Sequence, residues 1–223
     1  VDNGLGMQFG NRDTECKYAD MKMPLAWFAP ILEMQSAASA GLVMNWCITQ
    51  GATTIIQFEA AEKFQALYLP KMYAGEWGGT MCLTEPGAGS EVGNCATKCF
   101  PTDTPGLWKV KGNKIFITNA GHADVYIVIA MTDKSLGTKG ISAFIVEATT
   151  PGFAVGKKEL KMGIRGSATA ELIFTNCRIP KDNLLGKVGE GFKIAMMTLD
   201  GGRIGIASQA LGIAQGALDE TVK

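Results

Sequence analysis

Two short segments of this chain hold residues whose types and spacing could do chemistry. The first is Met81-Cys82-Leu83-Thr84-Glu85-Pro86-Gly87-Ala88-Gly89-Ser90-Glu91, and the second is Ile115-Phe116-Ile117-Thr118-Asn119. In the first, an apolar run ends at Glu85-Pro86; proline pushes the residue before it into extended geometry, so a strand stops there in a turn. Gly87 and Gly89 can take positive φ and carry no Cβ, which lets successive N–H groups approach an anionic ligand, and Ser90 adds a hydroxyl to that nest. Taken alone, the segment reads equally well as an ordinary glycine-rich hairpin loop. A dinucleotide fingerprint is excluded, because Val92 stands at the third glycine position and Cys95 to Phe100 reads as extended rather than helical. No glycine loop ending in Lys-Ser or Lys-Thr occurs. In the second segment, Phe116 either supplies an aromatic wall or is a core residue of an alternating strand from Lys114 to Thr118.

Other polar residues are weaker signals. Asp200-Gly201-Gly202-Arg203 reads as a helix boundary, with Asp200 as N-cap and Arg203 as a fixed cation at the helix start. Met162 to Ser167 precedes a strand, and Arg165 within it could pair with a carboxylate or approach a phosphate. His122 is the single histidine; it sits in a polar turn and reads as a surface residue rather than a general base. Six cysteines are scattered, with Cys95 and Cys99 the closest pair. Without a second pair or nearby histidines they read as free thiols of a reducing compartment, not as a zinc site.

These residues must be positioned by three kinds of element. Up to Trp77 the pattern predicts helices over Pro24 to Ala40, Gly41 to Phe58 and Ala60 to Tyr68, with Pro70 ending the last. From Gly79 to Pro180 it predicts strands, including Val125 to Ala130 and Ile141 to Glu147, with turns at Thr104-Pro105-Gly106, Lys111-Gly112-Asn113 and Thr150-Pro151-Gly152. After Gly186 to Gly191 helical spacing returns, and Ile204, Ala207, Leu211, Ala214, Leu218 and Val222 recur up to Lys223 without a C-cap. With no initiator Met, the chain reads as a segment of a longer protein. The expected fold class is α+β: helices over 1–77, a middle antiparallel β-barrel or pair of packed sheets over 78–185, and the start of a helical bundle over 186–223.

With 223 residues, a formal net charge of zero and 47% hydrophobic residues, the chain can bury a sizeable core. It lacks the basic excess that nucleic-acid binding needs. The most apolar region, Ala37 to Ile56, is interrupted by Ser39, Asn45, Gln50 and Gly51 and is too polar for a membrane span. No secretory signal opens the sequence, so the expected location is soluble and intracellular.

The motifs LTEPGAGSE, KGNKIFITNAG, KMGIRGSATAELIF and GFKIAMMTLDGGRIG, in this order and spacing, resemble those of the acyl-CoA dehydrogenase family, FAD enzymes that desaturate acyl-CoA thioesters. The resemblance runs from Glu33 to Lys223 and is densest over Met81 to Gly121 and Gly186 to Ala217. It implies that the chain spans the end of an N-terminal helical domain, a whole middle domain and the start of a C-terminal helical domain. It further implies flavin contacts from Met81, Leu83, Thr84, Gly89, Ser90, Phe116, Ile117 and Thr118. Phe116 would lie against the ring, where many members carry Trp, and Thr118 would hydrogen-bond near N5. Ser90, Ser167, Asp200 and Arg203 would contact the acyl-CoA substrate.

The implied reaction is α,β-dehydrogenation, with a carboxylate removing the α-proton while hydride leaves the β-carbon. In one branch the base directly precedes the arginine matched by Arg203, where this chain has Gly202. The commoner placement is a glutamate in the C-terminal domain, so the base is expected beyond Lys223, with Asp200 as fallback. Thr198 to Gly205 is most similar to short-chain, butyryl-type members. The resemblance implies an electron-transferring flavoprotein as acceptor, a homo-oligomer (tetramer or dimer), and a bacterial cytoplasm or mitochondrial matrix setting. Two rivals stand beside it: an oxidase that uses dioxygen, and a flavin- or CoA-binding module without catalysis.

Overall fold

In the computed structural model, residues 25–223 are described; Cys16 and the predicted helix start at Pro24 lie outside them. Helix α1 runs Leu25–Glu59 and breaks at Ser39, whose φ of −162° and ψ of 92° interrupt the helical path. This break stands close to the predicted Ala40/Gly41 boundary. Helix α2, Glu62–Tyr73, continues past Pro70. Proline removes its own N–H from the ladder but keeps its carbonyl, which accepts from the N–H of Ala74 at 3.0 Å. The last turn therefore closes.

Eight strands follow: β1 Gly79–Cys82, β2 Lys98–Pro101, β3 Leu107–Thr118, β4 Val125–Met131, β5 Ile141–Glu147, β6 Phe153–Lys158, β7 Thr169–Pro180 and β8 Leu184–Leu185. They form one sheet in the order β6-β7-β3-β2-β4-β5-β8, with β1 also on β4. Two pairings are parallel, β1 with β4 and β2 with β4; the others are antiparallel. The α+β class holds, but of the two expected forms, an antiparallel barrel or a pair of packed sheets, the barrel is corrected to an open, mixed sheet. The chain leaves β1, loops out, and returns as β2 along the same edge of β4, with both strands running parallel to it. Lys111-Gly112-Asn113 is also not a turn but the middle of β3, where Gly112 at φ +148° approaches Thr97 too closely to admit a Cβ.

Strand β4 is buried on both faces, which is why it reads as a continuous apolar run. Val125, Ile127, Ile129 and Met131 pack with Ile55, Ile56 and Tyr68 of the helices. Tyr126, Val128 and Ala130 pack with Val110, Leu172 and Phe174 of β3 and β7. The sheet therefore folds over its own central strands, and the ring of Tyr126 meets Phe153 of β6 at 4.6 Å between centroids. Helix α3, Gly191–Thr221, runs unbroken through Asp200 to Arg203. It packs along α1, where Gly212 and Gly216 leave no room for a Cβ beside the Glu33 and Ala37 carbonyls. No helix among the described residues is long and apolar enough to cross a membrane.

Candidate active site

The loop after β1 and the end of β3 lie side by side, since the N–H of Ile115 donates to the Thr84 carbonyl at 3.0 Å. The loop turns tightly at Glu85-Pro86-Gly87-Ala88, where Glu85 and Ala88 exchange both backbone hydrogen bonds at 3.1 Å. The expected anion nest does not form as predicted. Neither Gly87 nor Gly89 has positive φ, because the turn closes without it. A Cβ at either glycine would meet open space.

Strand β3 carries a bulge at the second motif. Lys114 pairs with Leu172 and Ile117 with Ala170, so three steps on β3 face two on β7. Strict alternation would place Lys114 and Phe116 on one side. The bulge breaks it: Lys114 and Ile117 both point inward, at 0% and 3% exposure, while Phe116 is turned out at 58%. Phe116 reaches this position with φ of 55°, a left-handed conformation costly for a bulky residue. Of the two readings of Phe116, the core-residue one is therefore excluded. The hydroxyls of Thr84, Ser90 and Thr118 make no hydrogen bond among the described residues, whereas that of buried Thr97 donates to the Asn113 carbonyl.

Beneath the loop lies a cluster that pattern reasoning missed. The Lys114 ammonium contacts Glu85 Oε1 at 2.6 Å and the Leu83 carbonyl at 3.1 Å. Glu85 also accepts the N–H groups of Ala96 and Thr97 and the Cys95 thiol, the last at 3.1 Å. Burial works against the Glu85 carboxylate, yet Lys114 and these donors hold its pKa below the ordinary glutamate value. Burial pushes the Cys95 thiol up to about 11. The available signal was a lysine at an inward position of an apolar strand, which needs a buried carboxylate nearby.

The remaining predicted residues divide. Met81 and Leu83 are half-buried against the core, whereas the Ile117 side chain belongs to the interior, leaving only its backbone for a ligand. Ser167 is buried beside the end of β3: Ala168 accepts from the N–H of Asn119 at 2.9 Å, and Thr118 pairs with Thr169. The Ser167 carbonyl is held by the Lys161 ammonium. Asp200 and Arg203 are exposed in mid-helix, so the predicted N-cap and helix-start cation are corrected: Gly201 and Gly202 are absorbed by α3. No hydrogen bond or ion pair joins either residue to the loop. Arg165 is exposed and donates to the Lys161 carbonyl at 3.0 Å. His122 is exposed in the turn before β4. Cys82, Cys95, Cys99 and Cys177 are buried free thiols, and Cys47 is half-buried.

Residues 80–177 match the family described as acyl-CoA dehydrogenase, middle domain, and residues 189–223 match the acyl-CoA dehydrogenase C-terminal domain. A butyryl-CoA dehydrogenase of Syntrophomonas wolfei is 49% identical over 86% of this chain and 32% of its own length. The solved butyryl-CoA dehydrogenase of Megasphaera elsdenii superposes with a TM-score of 0.89 at 42% identity, covering 99% of this chain and 58% of that one. A glutaryl-CoA dehydrogenase of Mycobacterium smegmatis, solved in complex with FADH2, superposes at 0.83 with 29% identity over 90% of this chain and 50% of that one. The chain thus spans about a third to somewhat over half of these relatives. In the sequence of its sheet and third helix and in the path of its backbone, it belongs to the acyl-CoA dehydrogenase family.

Proposed function

We propose that the full protein catalyses FAD-dependent α,β-dehydrogenation of a short acyl-CoA thioester to the trans-2-enoyl-CoA and passes the electrons to an electron-transferring flavoprotein. The observation that carries this reading is the bulge that turns Phe116 outward at positive φ, directly beside Thr84. Strain of this kind persists where a site requires it. The residues present fit a flavin: Phe116 offers an exposed aromatic wall, and Thr84 and Thr118 offer hydroxyls without a hydrogen-bond partner among the described residues. FAD, when bound, supplies the acceptor for the hydride that leaves the β-carbon.

The chain's own residues then divide the work. Phe116 shields one face of the site from water, and Thr118 and the Thr84 backbone and hydroxyl orient the polar edge of the cofactor. Met81 and Leu83 line the apolar side, while Gly89 and the backbone of Ile117 complete the cofactor contacts. Ser90, Ser167, Asp200 and Arg203 hold the CoA arm. Removing a thioester α-proton needs a desolvated carboxylate of raised pKa. Asp200 is exposed among the described residues, which supports a base contributed from beyond Lys223. We assign the protein to a homo-oligomer of the bacterial cytoplasm or mitochondrial matrix, in keeping with the family.

The test is anaerobic titration of the full-length protein with butyryl-CoA and longer thioesters, following bleaching of the flavin absorption. Bleaching by a short thioester and slow reoxidation in air are expected. A protein that binds no FAD, or whose flavin no acyl-CoA reduces, sinks the reading; rapid reoxidation by dioxygen would replace the dehydrogenase with an oxidase.

A further inference from the structure

We infer that Lys114, balanced by Glu85, is a positioning residue that sets the electron affinity of the flavin through the Leu83–Thr84 peptide group. This inference rests on the flavin site proposed above. The Lys114 side chain is wholly buried and that of Glu85 is 2% exposed, so their charges are not quenched by water. The ammonium donates to the Leu83 carbonyl at 3.1 Å. That carbonyl and the Thr84 N–H are two ends of one peptide unit. An ammonium on the oxygen polarises the unit and makes the Thr84 N–H a stronger donor. The same ammonium stands two residues before the bulged Phe116, so one cation ties the loop to the strand that presents the ring.

The charges have opposite effects on an acceptor that gains electrons. A buried cation and a polarised N–H favour the reduced state, whereas a buried carboxylate disfavours it. Glu85 is held in place by the Ala96 and Thr97 N–H groups and by Cys95 as well as by Lys114. Removal of one charge therefore leaves the other fixed near the site. A merely structural pair would lose FAD occupancy in both single variants without moving the potential of the flavin that stays bound.

The experiment is a spectroelectrochemical titration of the full-length, FAD-loaded protein and three variants, alongside their thermal denaturation. Lys114→Met is expected to lower the preference for reduced over oxidised flavin about tenfold, a two-electron shift of about 30 mV downward. Glu85→Gln shifts it upward, and Lys114→Arg, which keeps the cation, restores most of the wild-type value. Shifts of the same sign in Lys114→Met and Glu85→Gln, or none, overturn the inference while leaving the flavin site standing. Should Lys114→Met not fold, Glu85→Gln decides alone: a fall or no change overturns it. A wild-type protein that binds no FAD overturns the flavin site and this inference together.

Discussion

The loop-and-bulge region and the Asp200–Arg203 stretch of α3 form a contrast. The first is built from within: Lys114, Glu85, Cys95 and three backbone groups satisfy one another in a buried interior. The second is a run of exposed helix whose two charged side chains have no partner among the described residues. The contrast separates a geometry fixed by the fold itself from one to which only the proposed substrate would give a partner. Substitutions in the first region are expected to register in stability, and those in the second in binding alone.

The largest effect expected is from Lys114→Met, which strands the Glu85 carboxylate in the interior and should cost about 3–5 kcal/mol in chemical denaturation. A loss under 1 kcal/mol would erase the distinction. Next is pH. The folded pKa of Glu85 lies below its unfolded value, so its stabilisation is complete at neutral pH and is lost as pH falls through and below about 4.3. Wild type should lose stability faster than Glu85→Gln over that window, as read by urea midpoints at each pH. Phe116→Gly should be smaller and of opposite sign. Removing a bulky residue from positive φ is expected to gain about 1 kcal/mol of stability while weakening FAD binding, measured by fluorescence titration. The smallest change is expected from Arg203→Ala and Asp200→Asn, within about 0.5 kcal/mol of wild type in stability. Arg203→Ala should raise KM for the acyl-CoA, and Asp200→Asn should keep kcat within a few-fold. A collapse of kcat in Asp200→Asn would make Asp200 the base.

Much of the architecture was legible because it is local. Helices gave way to strands at Gly79 and returned near Gly191, and β5 was read to its residue bounds, since alternation and turn residues encode such changes nearby. What escaped was non-local. The parallel pairing of β1 with β4 joins Gly79 to Val125, and no periodicity carries that information. The bulge at Phe116 is a count of β3 against β7, so the local alternation of Lys114 to Thr118 predicted the wrong face. The family motifs marked the two segments that the fold brings side by side, yet not the Lys114–Glu85 pair, whose burial defeats the expectation that charge stays outside. Gly201 and Gly202 misled in the other direction: helix propensity alone argued for a boundary, and packing of α3 along α1 overrode it.

One consequence follows from the path between β1 and β2. The chain leaves β4 opposite Val128 and rejoins it opposite Met131, while the intervening Ile129 carbonyl is met by the Cys95 thiol at 3.7 Å. The excursion from Leu83 to Thr97 therefore begins and ends three residues apart along one strand, about 10 Å. Its length is thermodynamically cheap to alter, because doubling a loop between fixed ends adds only about 0.6 kcal/mol. Provided the Glu85–Ala88 turn and the Cys95–Thr97 return are kept, the tip from Gly89 to Val92 is the part of the excursion open to exchange. Insertions and grafts are therefore expected to be tolerated there rather than in the sheet.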